Sequence, residues 1–401
     1  MSRKASRRDF LKGKAAVRAV ADLAQGAIPG DGPDPWSREA ADQSYLIRVS
    51  RPAMATEFEV VLNAGQHEGG TEASLEALDL VEALEDQMSV FRATSEISRL
   101  NRTCADGPVK VEPRLCGLLE LALKLHAETG GALDITSSPL SKVWGFHRGA
   151  GTVPSEDDLA RAMKNVGGHL VELDAARQTV RFRQPGVELN LGSLGKGFAL
   201  DRLGQVLREA GIHDFLIHGG RSSILARGSR GSGVRGQGAG FARTWVTQAP
   251  ETRTLNPEPS SQPNPKPRGW VVGIPHPIRQ KARLAELRLR DRALGTSGSV
   301  AQHFRHQGRR YGHILDPRTG RPAEGVFSAT AVAPTAAEAD ALSTAFYVMG
   351  ADKALEFCQR RPEIAAVMVC PTHRDQGLEI HTAGLEEDEF RILEGPACDR
   401  L

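Results

Sequence analysis

The run from Arg310 to Gly350 constrains this 401-residue chain more than any other. It opens on a turn-rich segment, Tyr311-Gly-His313-Ile-Leu-Asp316-Pro-Arg-Thr-Gly320, and passes through a strand-like Ser328-Ala-Thr-Ala-Val-Ala333. It then enters Thr335-Ala-Ala-Glu338-Ala-Asp340-Ala-Leu-Ser343-Thr344. Thr335 followed three residues later by Glu338 is a capping box, which predicts a helix start, and Gly350 is a natural helix stop. Asp340 and Thr344 therefore share one helical face, a turn apart. A carboxylate and a hydroxyl at that spacing are hard oxygen ligands of the kind that suit Mg²⁺ or Ca²⁺. The plain alternative is a solvated aspartate beside a packed threonine, and the His313-x-x-Asp316-Pro-x-Thr-Gly turn just upstream favours the ligand reading.

A chain of this length buries a substantial core, as two or three domains or one large one. Its net charge of +2 gives no sign of a nucleic-acid or acidic-lipid partner. An aromatic content of 5% argues against stacking platforms for single strands. Cys104, Cys116, Cys358, Cys370 and Cys398 form no C-x-x-C pair, so neither a disulfide framework nor a zinc site is indicated. No apolar stretch approaches the length of a transmembrane span. The N-terminal Ser6-Arg-Arg-Asp-Phe-Leu-Lys12 resembles a twin-arginine export signal, but the apolar segment it needs is interrupted by Arg18 and Asp22. Residues 1–44 read as a degenerate signal and linker; a working signal would place the protein in the periplasm or cell envelope, a dead one in the cytoplasm.

The ordered domain is expected over 45–385. Leu46-Ile-Arg-Val49 and Phe58-Glu-Val-Val-Leu62 read as strands, and apolar residues at helical spacing predict a helix from Thr71 to Met88. A second helix is expected from Pro113 to Thr129, stopped by Gly130-Gly131. Val187-Glu-Leu-Asn190-Leu191 reads as a strand, Gly192-Ser193-Leu-Gly195-Lys196-Gly197 as a glycine-rich turn, and Phe198 to Ala210 as a helix. Glycines at such a turn let backbone N–H groups approach an anion, and Lys196 adds a full positive charge. The turn is not a Walker A loop, because Gly197 follows Lys196 and Asn190 stands where the first glycine belongs. Residues 228–268 turn abruptly to Gly, Arg, Pro, Ser and Asn and read as a flexible surface insertion; the G-x-G-x-x-G at Gly231 to Gly236 has no helix pattern after it and is a chance match. A helix (Ala351 to Arg360) and a strand (Ala365 to Val369) finish the core, and 386–401 read as an acidic, mobile tail.

From about Arg51 to Val369 the chain resembles the FAD:protein FMN transferases, Mg²⁺-dependent enzymes that attach FMN through a phosphoester to a threonine of a target protein. The likeness rests on Met54-Ala-Thr56, Met88-Ser-Val-Phe91 with Ser95-Glu-Ile-Ser-Arg-Leu-Asn101, Leu133-Asp-Ile-Thr136 with Trp144-Gly-Phe146, and Asn190-Leu-Gly-Ser193-Leu-Gly-Lys196-Gly-Phe-Ala-Leu-Asp201. Thr296-Ser-Gly298, His313-Ile-Leu-Asp316-Pro-Arg-Thr-Gly320 and Asp340-Ala-Leu-Ser-Thr344 complete it, all in family order. It implies a single large α+β domain with mixed sheets and packed helices around a flavin cleft. By the same likeness Mg²⁺ is held by the Ser193 carbonyl, Asp340 and Thr344, with Ser343 assisting, and His313 is the general base. Met54, Phe91, Ala132, Leu133, Asp134, Asn190, Lys196 and Ile314 fall where the family contacts FAD. The implied partners are FAD, as substrate, and an acceptor protein carrying a flavinylation threonine, such as a redox-complex subunit.

Some positions depart from the family pattern. Aspartate is usual at Asn190, tyrosine at Phe91, glycine at Ala55 and proline at Ile135, and Arg221-Ser-Ser223 replaces the usual aspartate after Gly219-Gly220. Two alternatives stay open on these grounds: an FAD pyrophosphatase that uses water as acceptor, and a non-catalytic flavin-binding protein.

Overall fold

An eight-stranded sheet organises the molecule. In a computed structural model that describes residues 45–149, 151–220, 222–230, 269–279, 282–298, 303–372 and 377–393, its strands run in the order Leu46–Ala53, Thr56–Asn63, Phe215–Gly219, Ser223–Arg227, Ala293–Gly298, Ser328–Ala333, Ala365–Pro371 and Leu378–Ala383. Every neighbouring pair is antiparallel. The signal-like segment 1–44, the insertion from 231 to 268 and the final residues 394–401 lie outside the described residues.

Successive side chains of a strand point to opposite faces, and here both faces are covered. Leu62, Ile217, Leu225, Ala293 and Ala331 join the main core with the helices Gly70–Met88, Gly195–Glu209 and Ala336–Met349. Val61, Leu216, Ala226, Leu294 and Val332 pack instead against Trp270, Val272 and Leu287. These belong to a second, three-stranded sheet of Trp270–Pro275, Arg283–Leu289 and Phe390–Ile392. Burial on both sides is why Ser328–Ala333 is apolar or small throughout, with all of its residues buried.

The helix foreseen after Thr335 spans Ala336–Met349 and ends at Gly350, where φ is 83°. Only Thr344 and Met349 on it escape full burial, so the helix is enclosed on all sides. Its capping box is half-formed. The Glu338 amide donates to Thr335 Oγ1 at 3.3 Å, but the Glu338 carboxylate receives Arg361 at 2.9 Å. Asp201 completes the cap, accepting from the Ala336 and Ala337 amides at 2.8 and 2.9 Å.

Three expectations are corrected. Val187 to Leu191 is not a strand. Its apolar alternation does bury Val187, Leu189 and Leu191, but Leu189 is bracketed by the Asn101 side chain, which accepts from its amide at 2.7 Å and donates to its carbonyl at 3.0 Å. The next helix begins at Gly195, before Phe198, because the glycine turn itself winds into its first turn. Phe390–Ile392, read as part of a mobile tail, pairs with Arg283–Leu289. Among the described residues no helix is long and apolar enough to cross a membrane.

Candidate active site

Two glycines let the enclosed helix approach its neighbours. A Cβ on Gly197, in the first turn of Gly195–Glu209, would overlap the Ala336 carbonyl, and one on Gly295 would overlap the Ala339 carbonyl. The close approach delivers the Gly197 amide to Asp340 Oδ2 at 2.7 Å, and the Ser223 hydroxyl donates to the same oxygen at 2.9 Å. Asp340 Oδ1 accepts no hydrogen bond from any described residue. Burial pushes the Asp340 carboxyl up to about 7, against the pull of the Lys196 charge and of the two hydrogen bonds.

The rest of this cluster is hydroxylic. Ser343 Oγ donates to the Asp340 carbonyl at 2.8 Å and lies 2.8 Å from Ser297 Oγ. Thr344 Oγ1 sits 3.1 Å from the same Ser297 oxygen. Lys196 Nζ donates to Ser222 Oγ at 2.6 Å. Lys196, Asp340, Ser343 and Thr344 are thus drawn together from distant parts of the chain, and half-buried Ser193 stands in the turn just ahead of them. Ser222, Ser223, Ser297 and Asp201 were given no site role from the sequence. The first two were visible there only as a departure from a pattern, and the other two only as members of the family motifs.

The flavin-contact candidates form two further groups. Met54 and Ala55, at φ 48° and 58°, make a two-residue turn between paired Ala53 and Thr56. Such a φ explains why glycine suits position 55. The Met54 amide donates to Glu85 at 2.9 Å, and Glu85 also faces Arg92 at 3.3 Å, so the end of the Gly70–Met88 helix fixes both the Met54 turn and the Phe91 loop. Phe91 is 73% exposed and stacks on His147 with ring centroids 5.0 Å apart.

In the second group Ala132 and Leu133 are buried. Asp134 accepts from the Thr136 amide and hydroxyl at 2.7 and 2.6 Å and lies 3.3 Å from His126 Nδ1. These three side chains face the interior, so any ligand contact there runs through the backbone. Asn190 adjoins them, its amide donating to the Ile135 carbonyl at 2.7 Å and its Oδ1 accepting from Gly192 N at 2.9 Å.

Half-buried His313 and buried Ile314 link Arg309–Gly312 to Leu315–Asp316. The turn after them is rigid: Gly320 N donates to the Asp316 carbonyl at 2.8 Å, and buried Trp144 donates from Nε1 to the Gly320 carbonyl at 2.7 Å. The bonds that fix this turn are a separate set from those around Asp340.

Residues 54–368 match the ApbE family. The chain belongs to that family. An FAD:protein FMN transferase of Treponema pallidum (strain Nichols) is 32% identical over 329 residues, covering 80% of this chain and 81% of that protein. One of Escherichia coli (strain K12) is 27% identical over 323 residues, covering 79% and 78%. The structure of the flavin transferase ApbE from Vibrio cholerae superposes with a TM-score of 0.66 at 25% identity, covering 85% of this chain and 97% of that one. The α+β architecture described above is accordingly the ApbE fold, and the chain is a member of a family of flavin-transferring enzymes.

Within this ApbE chain the donor set around Asp340 is all oxygen, with a single carboxylate. Among the described residues no group of three or more His, Cys, Asp and Glu could hold a metal. A nitrogen–sulfur zinc centre is therefore a poor fit. One carboxylate with an open oxygen, flanked by hydroxyls, fits Mg²⁺, which commonly takes one or two carboxylates and completes its shell with water and substrate phosphates.

Proposed function

We propose that this protein transfers FMN from FAD to a threonine hydroxyl of an acceptor protein, with Mg²⁺, releasing AMP. The observation that carries this reading is the Asp340 carboxylate, seated with one oxygen committed to Gly197 and Ser223 and the other open, beside Lys196 and a helix N-terminus. That combination suits a diphosphate and its counter-ion. Asp340, Ser343, Thr344 and the Ser193 carbonyl would hold Mg²⁺. What Mg²⁺ supplies when bound is neutralisation of diphosphate charge.

The threonine oxygen forms a bond to the FMN phosphorus while the bond from that phosphorus to the AMP oxygen breaks, and AMP leaves. His313 takes the threonine proton, a task its imidazole suits, and the Trp144-anchored turn aims it. The exposed Phe91 ring offers a stacking face to the flavin or adenine. Met54, Ala132 to Asp134, Asn190, Lys196 and Ile314 line the FAD path, Ala132, Leu133 and Asp134 through their backbone.

The departures from the family pattern do not favour a non-catalytic protein. Asn190 spends its Oδ1 on the Gly192 amide, a bond that needs an acceptor and no charge. Ser222 and Ser223 engage Lys196 and Asp340 directly. Incubation of purified protein with FAD, Mg²⁺ and a threonine-bearing peptide is the test. Flavin fluorescence that stays with the peptide supports transfer; free FMN alone means a pyrophosphatase, and intact FAD means binding without chemistry.

A further inference from the structure

The helix Pro113–Glu128 carries in its last turn a histidine to which the transfer reading gives no task. Half-buried His126 has its ring Nδ1 2.9 Å from the Leu133 carbonyl and 3.3 Å from Asp134 Oδ2. A carbonyl oxygen only accepts, so Nδ1 carries the proton. The ring rests on Gly168, where a Cβ would come within 2.7 Å of its Cδ2.

The stretch that His126 reaches is the one assigned to FAD through its backbone, Ala132 to Asp134. Two consecutive peptide planes lie here, and the helix end holds each by one edge. In the first, the Leu133 amide donates to Thr129 Oγ1 at 3.2 Å. In the second, the Leu133 carbonyl accepts from His126. The C=O and N–H of a planar trans peptide point in opposite directions. The Ala132 carbonyl, which shares the first plane, therefore points away from Thr129, and the Asp134 amide, which shares the second, points away from His126. Neither group bonds to any described residue, although Ala132 and Asp134 are both buried. Buried backbone groups are nearly always paired, so this acceptor and donor on adjacent peptides are placed to meet a bound molecule.

We propose that His126 is a positioning residue for FAD: its bond to Leu133 sets the peptide whose other end, the Asp134 amide, meets the nucleotide. The inference rests on the assignment of residues 132–134 as FAD contacts. Asp134 serves the same end, since its buried carboxylate lies against the Nδ1 proton and keeps the imidazole turned toward Leu133. That accounts for a carboxylate at a contact position whose side chain faces the interior. Without the His126 donor the second peptide loses its hold on the helix end and is free to turn its amide away.

The test separates the Nδ1 bond from the bulk of the ring. The side-chain amide nitrogen of asparagine stands where Nδ1 stands in histidine; that of glutamine stands nearer Nε2 and misses Leu133. Full-length His126→Asn, His126→Gln and His126→Leu proteins are titrated with FAD and Mg²⁺ by fluorescence anisotropy without acceptor, and KM and kcat for transfer are measured beside melting temperatures. The glutamine and leucine variants are expected to bind FAD about fivefold more weakly, the scale of one hydrogen bond, with the KM for FAD raised to match and kcat at saturating FAD unchanged. The asparagine variant is expected to stay within about twofold of wild type. Unchanged FAD affinity in the leucine and glutamine variants, whatever their melting temperatures, overturns the proposal. An asparagine variant as weak as leucine overturns it too, since the bulk of the ring and not its donor would then matter. Should the leucine variant fail to fold, asparagine against glutamine decides the matter alone. A wild type that binds FAD in this His126-dependent way and transfers nothing sinks the transfer reading and leaves this one standing; a wild type that transfers FMN with an FAD affinity indifferent to His126 does the reverse.

Discussion

The Gly197 amide and Asp340 Oδ2, 143 positions apart in the chain, meet at 2.7 Å. This bond ties the glycine turn to the enclosed helix and splits the carboxylate into one oxygen spent on Gly197 and Ser223 and one that accepts from no described residue. The glycine is obligatory on steric grounds, since any side chain there would enter the Ala336 carbonyl.

Replacement of Asp340 by Asn keeps an acceptor for Gly197 and Ser223 but removes the charge. The expected result is a melting temperature close to wild type, because both hydrogen bonds survive, together with at least a hundredfold loss of FMN transfer and of the response to added Mg²⁺, of the order seen when one electrostatic contact to a transition state is lost. Asp340→Ala should abolish turnover as well. Full activity in either variant would show that the metal site lies elsewhere.

Asp201 accepts from the first two amides of the Ala336–Met349 helix. Asp201→Ala leaves those donors unpaired, and the variant should unfold at lower urea concentration by about 1–2 kcal/mol, the range for loss of a helix cap. Asp201→Asn should recover part of this. An unshifted denaturation midpoint in the alanine variant would mean that water satisfies the two amides.

The helix carrying Asp340 was legible because its start and stop are local: Thr335 caps Glu338, and Gly350 ends the helix at a positive φ. Burial was legible at Val187, Leu189 and Leu191, but pairing was not. Periodicity records which side faces the core, and it cannot register that an asparagine side chain takes the place of a neighbouring strand. The partners of Asp340 were invisible for a related reason. Ser223 reaches it across 117 positions; a serine in a strand has no pattern of its own, so only the folded sheet reveals that this hydroxyl meets the carboxylate. The same holds for Asp134, which the family likeness put among the FAD contacts and whose Oδ1 receives both the amide and the hydroxyl of Thr136.

Glu59 gives the fold a pH dependence of known sign. It is the cross-strand partner of His218, 3.2 Å away, and also receives Arg48 at 2.7 Å. The His218 hydrogen bond, followed by the charges of His218 and Arg48, holds its carboxyl below the ordinary 4.5 despite burial. A carboxyl depressed in the folded state contributes stability that is fully present above its unfolded pKa and is lost as pH falls through the folded value. The melting-temperature gap between wild type and Glu59→Gln should therefore be widest above about pH 5 and close on acidification below 4.5. A gap that instead widens toward acid would refute the assignment.

Phe91 separates function from folding. At 73% exposure its ring contributes little to the core and stacks on His147, so Phe91→Ala should change stability by no more than about 0.5 kcal/mol, as surface substitutions do. Removal of a stacking face worth roughly 0.5–1.5 kcal/mol should nonetheless raise the KM for FAD about two- to twelvefold. Phe91→Tyr, which keeps the face and adds only a hydroxyl, should match wild type. Steady-state kinetics in FAD, alongside thermal melts of the same preparations, decide the matter: an alanine variant that melts early with an unchanged KM would make Phe91 a packing residue and leave the flavin without its stacking partner.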